Sequence, residues 1–546
     1  MECRLVSCLE KIFYDGRGAS ASLPPLSALQ GERIAFQCAI FCEYYTYVFP
    51  RIQGNLPGKA TIHHVECVPA RMGRKEQDSD ENYLSLAPDF YPDLLIPVQG
   101  GVACPGNAWK ALFIEIETDE NAPAGEYTFS LQLPGTVPIT EENVIQEISV
   151  SMEVIGAKLP AQQISHTEWF HSDCLADFYH VPAFSERHWE IIGNFMETAA
   201  KRSCTMILTP HFTPPLDTLC GGERTTVQLV DVEKDGDSYR FEFTKLKRWI
   251  DLAFEKGFSL IEFAHLFTQW GAKAAPKIMG IKDGVYQRLF GWDTPAVGGE
   301  YTRFLHAYLP CLTEKLREWG VADKCCFHIS DEPNAAQLES YLAARQSIAG
   351  LIAGFPVIDA LSDVNLAKEC RISPPIASVR HLDAFFHENV SPLWGYYCCG
   401  PTKDYTNRFL YMSLSRTRSM GMQWWKYDLK GFLHWGYNFY NTAHSIAPII
   451  PFMDTEAGGV FPAGDPFLVY PGRDGKPLES LRLIAIHYAM QDARALSLLA
   501  QLKGRDFALA LLEEAFPLTL TCYPNDSQSF LAIRSRINAA IRECIE

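Results

Sequence analysis

The sequence is poor in basic residues for its length, and this excludes several classes of partner. It has 48 Lys and Arg against 65 Asp and Glu, which gives a formal net charge of -17. Phosphate backbones and anionic membranes are bound by clustered basic side chains, and no compact Lys/Arg run is present. We therefore expect neither a nucleic-acid partner nor a membrane partner.

Long hydrophobic runs are also missing. No stretch of about 20 apolar residues is present, so no membrane-spanning helix is expected. The first residues, MECRLVSCLEKIFYDGRG, lack an apolar segment followed by a small-residue cleavage site. A secretory signal typically contains both features, so the sequence predicts a protein without a signal peptide and located in the cytoplasm.

Metal-ligand spacings are absent as well. The 17 cysteines are odd in number and scattered, and several lie in apolar segments, where we expect reduced core residues and no disulfide. The adjacent pairs Cys325–Cys326 and Cys398–Cys399 lack the CxxC spacing typical of zinc sites, and no HxH or HExxH motif occurs. We predict no metal and no cofactor, with a site built from His211, His265 and Asp331 as the alternative.

What is present in the first 160 residues is a series of short alternating segments. AFQCAIFC, KALFIEIE, EYTFSLQL and EISVSMEVIG alternate apolar with polar residues or form short apolar runs between turn residues. Period-two alternation is typical of half-buried antiparallel strands. Residues 1–160 are therefore predicted to form an N-terminal β-sandwich, with GAKLPAQQ at 156–163 as the linker that follows it.

The pattern changes after the linker. Apolar runs alternate with amphipathic helical stretches, which is typical of βα units. Residues 161–546 are predicted to form a (β/α)8 TIM barrel with a helical C-terminal tail, so the fold class is α/β with an all-β N-terminal domain. The insertion TVQLVDVEKDGDSYRFEF carries its own hairpin pattern. The eight strand candidates lie at residues 165–171, 205–211, 259–265, 324–330, 355–362, 377–385, 392–398 and 431–438.

Two carboxylates directly follow the fourth of these strands. In barrel enzymes the active site lies where strands end, and here Asp331 and Glu332 precede the turn residue Pro333. Like charges side by side raise one pKa, which gives a general acid beside an ionised neighbour. The alternative is structural: Asp331 caps the helix that begins near Asn334, and Glu332 interacts with the helix dipole.

Other polar and aromatic residues at strand ends are candidates for binding substrate. Aromatic faces stack on sugar rings, although core packing takes most aromatic residues in a chain of this size. A histidine there is more often structural than catalytic. The substrate-binding candidates are His211, His265, Trp394, Tyr396, Trp435 and Asn438, and Gln269 also follows a strand.

Several longer motifs resemble one enzyme family over nearly the whole chain. They are WKALFIEIETDENAPAGEYTFSLQL, the SDEP strand end at 330–333, GFLHWGYN, and AGDPFLVYPGRDGKPLESLR with its YPG at 470–472. They resemble glycoside hydrolase family 123 and its relatives in the domain of unknown function 4091. This resemblance implies a sandwich followed by a barrel, and removal of terminal β-linked N-acetylgalactosamine from a glycan or glycolipid. It also implies that Glu332 is the acid/base and Asp331 the carboxylate that orients the acetamido group.

The adjacency of the two carboxylates bears on mechanism. Retaining glycosidases with two carboxyl groups place them on opposite faces of the sugar, and neighbours at one strand end are poorly placed for this. We therefore expect the substrate's 2-acetamido oxygen to attack C1 and form an oxazolinium ion. Tyr396 is the candidate donor to the acetamido oxygen, Trp435 the sugar platform, and Asn438 and His265 the hydroxyl-binding residues.

Two alternatives remain at this point. One is a glycosidase for another β-hexosamine, a sulfated amino sugar or a galactoside. The other is a non-catalytic glycan-binding barrel, against which the intact carboxylate pair argues. A homo-oligomer is compatible with either reading.

Overall fold

The N-terminal part of the computed structural model, which describes residues 1–546, contains two β-sheets. One sheet has the order β1-β3-β9-β6-β7 and the other β2-β11-β10-β4-β8, with β5 paired to β10. The strands are β1 Glu2–Ser7, β2 Leu26–Gln30, β3 Arg33–Cys42, β4 Thr46–Val48, β5 Arg51–Gly54, β6 Gly58–Ala70, β7 Asp89–Pro97, β8 Val102–Cys104, β9 Ala108–Thr118, β10 Gly125–Val137 and β11 Glu142–Lys158.

Alternating burial explains how these sheets pack. In β10 every second residue is buried, as expected for a strand with one face on a core and the other in solvent. Side chains from both sheets form a core of 19 buried residues. Strands β3 and β9 are buried almost throughout, because their second face contributes to the larger core that the sheet shares with the rest of the chain.

The remaining chain alternates strands and helices. Its strands are β12 Ser165–Glu168, β13 Met206–Thr209, β14 Asp231–Asp235, β15 Ser238–Glu242, β16 Leu260–Phe263, β17 Ile278–Lys282, β18 Val285–Phe290, β19 Cys325–Phe327, β20 Ala360–Leu361, β21 Ile376–Ser378, β22 Trp394–Tyr396, β23 Gly431–His434, β24 Tyr470–Pro471 and β25 Pro477–Leu478. Its α-helices are α1 Ser172–Tyr179, α2 Glu186–Lys201, α3 Thr244–Glu255, α4 Gly299–Glu318, α5 Leu338–Ile348, α6 Val364–Glu369, α7 Leu382–His387, α8 Leu414–Lys426, α9 Leu481–Lys503, α10 Arg505–Ala515 and α11 Ser527–Ile545.

Eight of these strands form one curled parallel sheet. Its order is β19-β16-β13-β12-β23-β22-β21-β20. Counting only these eight strands, each pair of neighbours in the sheet is also consecutive in the chain, except β12 and β23, which are the first and the last. The two edges approach each other through an isolated parallel bridge between Phe327 and Val357. Seven of the strands lie within the predicted segments, and the eighth, β21, begins one residue before its segment, at Ile376. The predicted insertion forms the β14–β15 hairpin.

Two strand boundaries differ from the prediction. The segment 377–385 was expected to be a strand throughout, but β21 ends at Ser378 and α7 begins at Leu382. In 355–362 only Ala360 and Leu361 form a regular strand. Leu382 and Phe385 bury one face of α7, and over so short a stretch helical burial cannot be distinguished from a strand by pattern alone.

Buried charges and the C-terminal helices join the two N-terminal sheets to the parallel sheet. Arg202, which follows α2, donates to Glu115 on β9 and to Glu479 before α9, each at 2.7 Å. Helix α11 packs back against β11 and β2, where Arg542 donates to Glu153 at 2.9 Å. None of the helices combines the length and apolar character that a membrane span requires.

Candidate active site

A cavity of about 180 Å³ opens at the carboxyl ends of the parallel strands. Loops after six of the eight strands supply its walls, which is where α/β barrels bind their ligands. The lining residues are Trp169, Leu216, Asp217, Gln269, Trp270, Asp331, Glu332, Ala360, Tyr396, Cys398, Cys399, Leu433, Trp435 and Phe461.

Asp331 and Glu332 both line this cavity. Successive residues of a strand point to opposite faces, so two neighbouring side chains reach one cavity only if the backbone turns between them. Glu332 makes that turn: its φ is +42°, in the left-handed region that residues other than glycine rarely adopt. Such outliers persist where the surrounding structure over-determines them, commonly at active sites.

The alternative capping role of Asp331 does not hold. Asn334 begins the following helical turn, and its side chain accepts a hydrogen bond from the Ala336 amide at 3.0 Å. Gln337 returns a bond to the Asn334 amide, which completes a capping box. The two carboxylates are therefore free of helix capping.

The surroundings of Asp331 disfavour its ionised form. Burial, and then the neighbouring charge of Glu332, raise the pKa of the Asp331 carboxyl well above its usual range. Asp331 therefore takes up a proton at a higher pH than an ordinary aspartate. The raised pKa of the pair thus belongs to Asp331, which the family resemblance assigns to orienting the acetamido group and not to the acid role.

Tyr396 contacts the second carboxylate. Its hydroxyl donates to Glu332 Oε1 at 2.6 Å and lies 3.4 Å from the Ser362 hydroxyl. Burial and the charge of Glu332 raise the pKa of Tyr396 well above its usual range, so the phenol keeps its proton and remains a donor. This bond holds Glu332 against the wall of the cavity.

A buried ionic layer lies below the pair. His328, three residues before Asp331, is bonded through Nε2 to Glu262 at 2.8 Å and through Nδ1 to Asp359 at 3.3 Å. Burial lowers its pKa, but the two carboxylates outweigh burial and raise the pKa of His328 to about 9. Asp359 also accepts from the Ile329 amide at 3.0 Å, which fixes the strand end that carries Asp331.

Aromatic side chains form much of the remaining wall. Trp435 donates through Nε1 to Asp465 at 3.0 Å, and its ring lies 5.2 Å from that of Phe461. Trp169 donates to Glu262, while Trp270 is largely exposed at the rim. Fixed aromatic faces of this kind suit the apolar face of a sugar ring.

Asp217 was not among the predicted site residues, and Gln269 was noted only as a strand-end residue. The Gln269 Oε1 atom accepts from the Asp217 amide at 2.6 Å, whereas its buried Nε2 donor has no partner. Asp217 accepts from the His444 amide at 2.9 Å. Asp217 lies eight residues beyond β13, too far along a loop for a strand-end pattern to identify it.

Four predicted residues lie outside the cavity lining. Asn438 exchanges hydrogen bonds with the backbone of His171, at 2.9 and 3.1 Å. His211 uses both ring nitrogens, on Tyr308 and on the Ala264 carbonyl, and Trp394 is buried in the core of the sheet. His265 is buried, with both ring nitrogens unpartnered, and stacks on His328 at 4.5 Å.

The metal alternative is not supported in its original form. Because both ring nitrogens of His211 are bonded, it has no lone pair for an ion. His265, His328 and Asp359 do place one ligand atom each within 4.8 Å of one another. However, His328 already forms hydrogen bonds with two carboxylates, those of Glu262 and Asp359. We therefore interpret these three residues as part of the buried ionic layer described above.

Comparison with known proteins places the chain in a family. A family model described as "Glycoside hydrolase 123, catalytic domain" matches residues 169–499, more than half of the chain. The chain belongs to glycoside hydrolase family 123. The match spans the loops that bear Asp217, Asp331, Tyr396 and Trp435, and it confirms the resemblance seen in the sequence. A search of curated proteins finds no match.

One solved structure shares the fold over nearly the whole chain. A family 123 glycoside hydrolase from Clostridium perfringens, described for glycolipid glycan hydrolysis, superposes with a TM-score of 0.74 at 14% identity, over 99% of this chain and 98% of that one. A β-glucuronidase from Parabacteroides merdae gives 0.32 at 10% identity, over 90% and 51%. A xylanase from Thermobacillus composti gives 0.30 at 9%, over 60% and 97%. We draw no conclusion from the last two.

Proposed function

We propose that this family 123 glycoside hydrolase removes terminal β-linked N-acetylgalactosamine with retention of configuration, using the substrate's acetamido group as nucleophile. The observation that carries the proposal is that Asp331 and Glu332 share one wall of a small cavity. Two carboxylates on one wall suit an acid and an amide-orienting group better than an acid and an opposed nucleophile. The glycolipid glycan hydrolysis described for the Clostridium perfringens protein supports the same class of substrate.

Asp331 would act on the acetamido group. Its carboxylate accepts the amide N–H, directs the carbonyl oxygen at C1, and stabilises the positive charge as the oxazolinium ring forms. In the empty site Asp331 holds a proton more readily than an ordinary aspartate. For Asp331 to accept the amide N–H of the substrate, that proton must move to Glu332 when the substrate binds. A coupled pair with one shared proton permits this, because the proton belongs to the pair rather than to one residue.

Glu332 would then serve as acid and base. It protonates the departing glycosidic oxygen, and afterwards removes a proton from the water that opens the oxazolinium. Tyr396 donates its one hydroxyl proton to Glu332 in the empty site, and it would turn that proton to the acetamido oxygen when the substrate binds. Protonation of the glycosidic oxygen by Glu332 and orientation of the acetamido group by Asp331 would take place on the same side of the scissile bond.

The size and walls of the cavity support exo action on one sugar unit. At about 180 Å³ it is below the 300–1,000 Å³ common for sites that take larger ligands. Trp435 would provide the face for the sugar ring. The Nε2 of Gln269 and the carboxylate of Asp217 would form hydrogen bonds with hydroxyl groups of the sugar. The Nε2 is a buried donor without a partner, which is costly unless a ligand accepts its hydrogen bond.

Asp217 also defines the main mechanistic rival. As a third carboxylate in the cavity it could act as the nucleophile of an ordinary double displacement. Its carboxylate already accepts a backbone amide, and burial raises the pKa of Asp217, which weakens it as a nucleophile at low pH. That rival requires no acetamido group on the substrate.

The architecture of the chain and its location complete the proposal. We infer that the bridge between Phe327 and Val357 closes the parallel sheet into a (β/α)8 barrel, and that a domain boundary lies near residue 160, between β11 and β12. All 17 cysteines are unpaired, which supports a reducing, cytoplasmic location.

A panel of nitrophenyl glycosides tests the proposal. β-N-Acetylgalactosaminide should be cleaved, whereas β-galactoside and β-glucoside, which carry a 2-hydroxyl, should be nearly inert. Proton NMR during early turnover should show the β anomer first. Efficient cleavage of a 2-hydroxyl substrate would favour Asp217 as nucleophile, and preferred cleavage of the N-acetylglucosaminide would move the specificity to the gluco series.

A further inference from the structure

Two adjacent thiols in the catalytic cavity have no part in the proposed chemistry. Cys398 and Cys399 both line the cavity, two and three residues after Tyr396, and their Sγ atoms are 3.8 Å apart. The loop is held in place: the Cys398 amide donates to the Gly400 carbonyl at 2.9 Å, and Asn407 donates to the Cys398 carbonyl at 3.0 Å. The two sulfurs thus face the same space as the catalytic pair.

A second pair of adjacent cysteines, Cys325 and Cys326, shows that adjacency in the sequence does not by itself bring two sulfurs together. Cys325 and Cys326 lie on β19, where successive side chains point to opposite faces. Their thiols accordingly donate to different carbonyls, those of Val321 and Ile261. Only outside a regular strand can neighbouring cysteines present both sulfurs together, as Cys398 and Cys399 do.

The separation of the two sulfurs matches a metal geometry. Zinc binds thiolates at about 2.3 Å with tetrahedral angles, so two thiolates on one ion are about 3.8 Å apart. The pair therefore needs little movement to bind one ion, and water can complete the coordination. The spacing rule that argued against zinc describes closed structural sites with four protein ligands, not a two-thiol site on a cavity wall.

The charge around the pair also favours a cation. The carboxyl groups of Asp217, Asp331 and Glu332 line the same cavity as the two thiols, and no lysine or arginine lines it. These acidic surroundings attract a divalent ion, and a bound ion in turn stabilises the thiolates. Binding exchanges the two thiol protons, released to solvent, for two metal–sulfur bonds.

We propose that Cys398 and Cys399 form a dithiolate site for a soft divalent cation of the zinc group, and that an ion bound there inhibits the enzyme. The ion would lie in the wall of the cavity that Asp331, Glu332 and Tyr396 also line, so it would obstruct the sugar and attract the catalytic carboxylates. The inhibitory half rests on the proposed function, whereas the binding half does not.

Direct binding is measured with Cd²⁺ alone, by titrating reduced full-length protein and recording thiolate-to-cadmium charge-transfer absorbance. The wild type should show a band that saturates at one ion, and Cys398→Ser/Cys399→Ser should lose it. Cys311→Ser, which removes an exposed thiol on α4, is the matched control and should keep the band. The single variant Cys399→Ser, at an exposed position, serves as a second probe if the double variant folds poorly.

Inhibition is measured with Zn²⁺, relative to the uninhibited rate of each variant. The zinc concentration for half-inhibition should rise more than about tenfold in the cysteine variants and stay unchanged in Cys311→Ser. An unaltered cadmium band in the double variant would overturn the site, and unaltered zinc inhibition would overturn its effect. If the wild type cleaves no acetamido sugar, the proposed function fails, but the cadmium titration still decides the site.

Discussion

The hydroxyl of Tyr396 provides the most direct test of how the proposed catalytic pair, Asp331 and Glu332, is positioned. It donates to Glu332 Oε1 at 2.6 Å, a short distance typical of a hydrogen bond to a charged acceptor. Tyr396→Phe removes only this oxygen and leaves the ring in place. A hydrogen bond to a charged group contributes about 1.5–3 kcal/mol, so kcat/KM should fall roughly 10- to 150-fold.

The neighbouring residue offers a matched control. Tyr397 is fully buried on the same strand end, but its hydroxyl has no hydrogen-bond partner. Tyr397→Phe therefore deletes an equivalent atom that bonds to nothing, and activity should stay near that of the wild type. Tyr397→Phe should unfold at or slightly above the wild-type temperature, because it removes a buried hydroxyl that has no partner. Tyr396→Phe should remain folded under the assay conditions.

The assay is steady-state hydrolysis of an N-acetylgalactosaminide, with thermal melting measured in parallel. If Tyr396 acts through Glu332 and the acetamido oxygen, the loss should appear mainly in kcat. A loss below threefold, or an equal loss in Tyr397→Phe, would refute the positioning role.

Three further predictions concern the carboxylate pair and the contact between the N-terminal sheets and the rest of the chain. Glu332→Gln should slow an unactivated substrate by about 10²–10⁴ but an aryl glycoside far less, whereas Asp331→Asn should slow both; equal losses for Glu332→Gln on both substrates would contradict the acid role. Asp331→Asn should also raise the melting temperature at pH 7. The raised pKa of Asp331 in the folded state destabilises the fold at any pH at which the carboxyl of the unfolded chain is ionised. The gain in melting temperature should therefore vanish below about pH 4, and a gain that persists there would contradict this cause. Arg202→Met should lower the free energy of unfolding by about 3–5 kcal/mol in denaturant titrations, since it removes the ion-pair partner of Glu479 and leaves the buried Glu115 only Arg33 at 3.6 Å and the Tyr488 hydroxyl. Lys247→Met, at an exposed pair with Asp251, should cost under about 0.5 kcal/mol.

The fold was largely predictable because buried strands leave a strong pattern. A parallel strand covered on both faces reads as a short apolar run, and each of the eight runs located a strand. Boundaries were less predictable. At residues 377–385, ASVRHLDAF, apolar residues recur through both β21 and α7, so the pattern alone could not mark the end of the strand.

The residues of the cavity could be predicted only where they lie at or just after the end of a strand. Asp331, Glu332, Tyr396 and Trp435 follow strands and line the cavity, but Asn438 also follows a strand and turns to the backbone of His171. Position at a strand end fixes the edge of the sheet that a residue occupies, not the direction of its side chain.

Other parts of the cavity come from residues that no local pattern connects to it. Asp217 and Phe461 arrive on long loops, and the two thiols at 398–399 are brought together by a turn. Their placement depends on tertiary packing between segments far apart in the chain, which periodicity does not encode.

The backbone at Glu332 gives an argument about mechanism that is independent of family likeness. An acid and an opposed nucleophile are most simply placed on different strands, where each can keep ordinary β geometry. Here the chain instead adopts a left-handed conformation at a glutamate, at a cost of about 1–3 kcal/mol, and brings it beside a half-buried aspartate. Strain that gathers two carboxylates on one wall is useful only if both act on the same side of the substrate. Orienting an acetamido group and protonating the adjacent glycosidic oxygen is chemistry of that kind, so the strained turn favours a nucleophile supplied by the substrate over one supplied by Asp217.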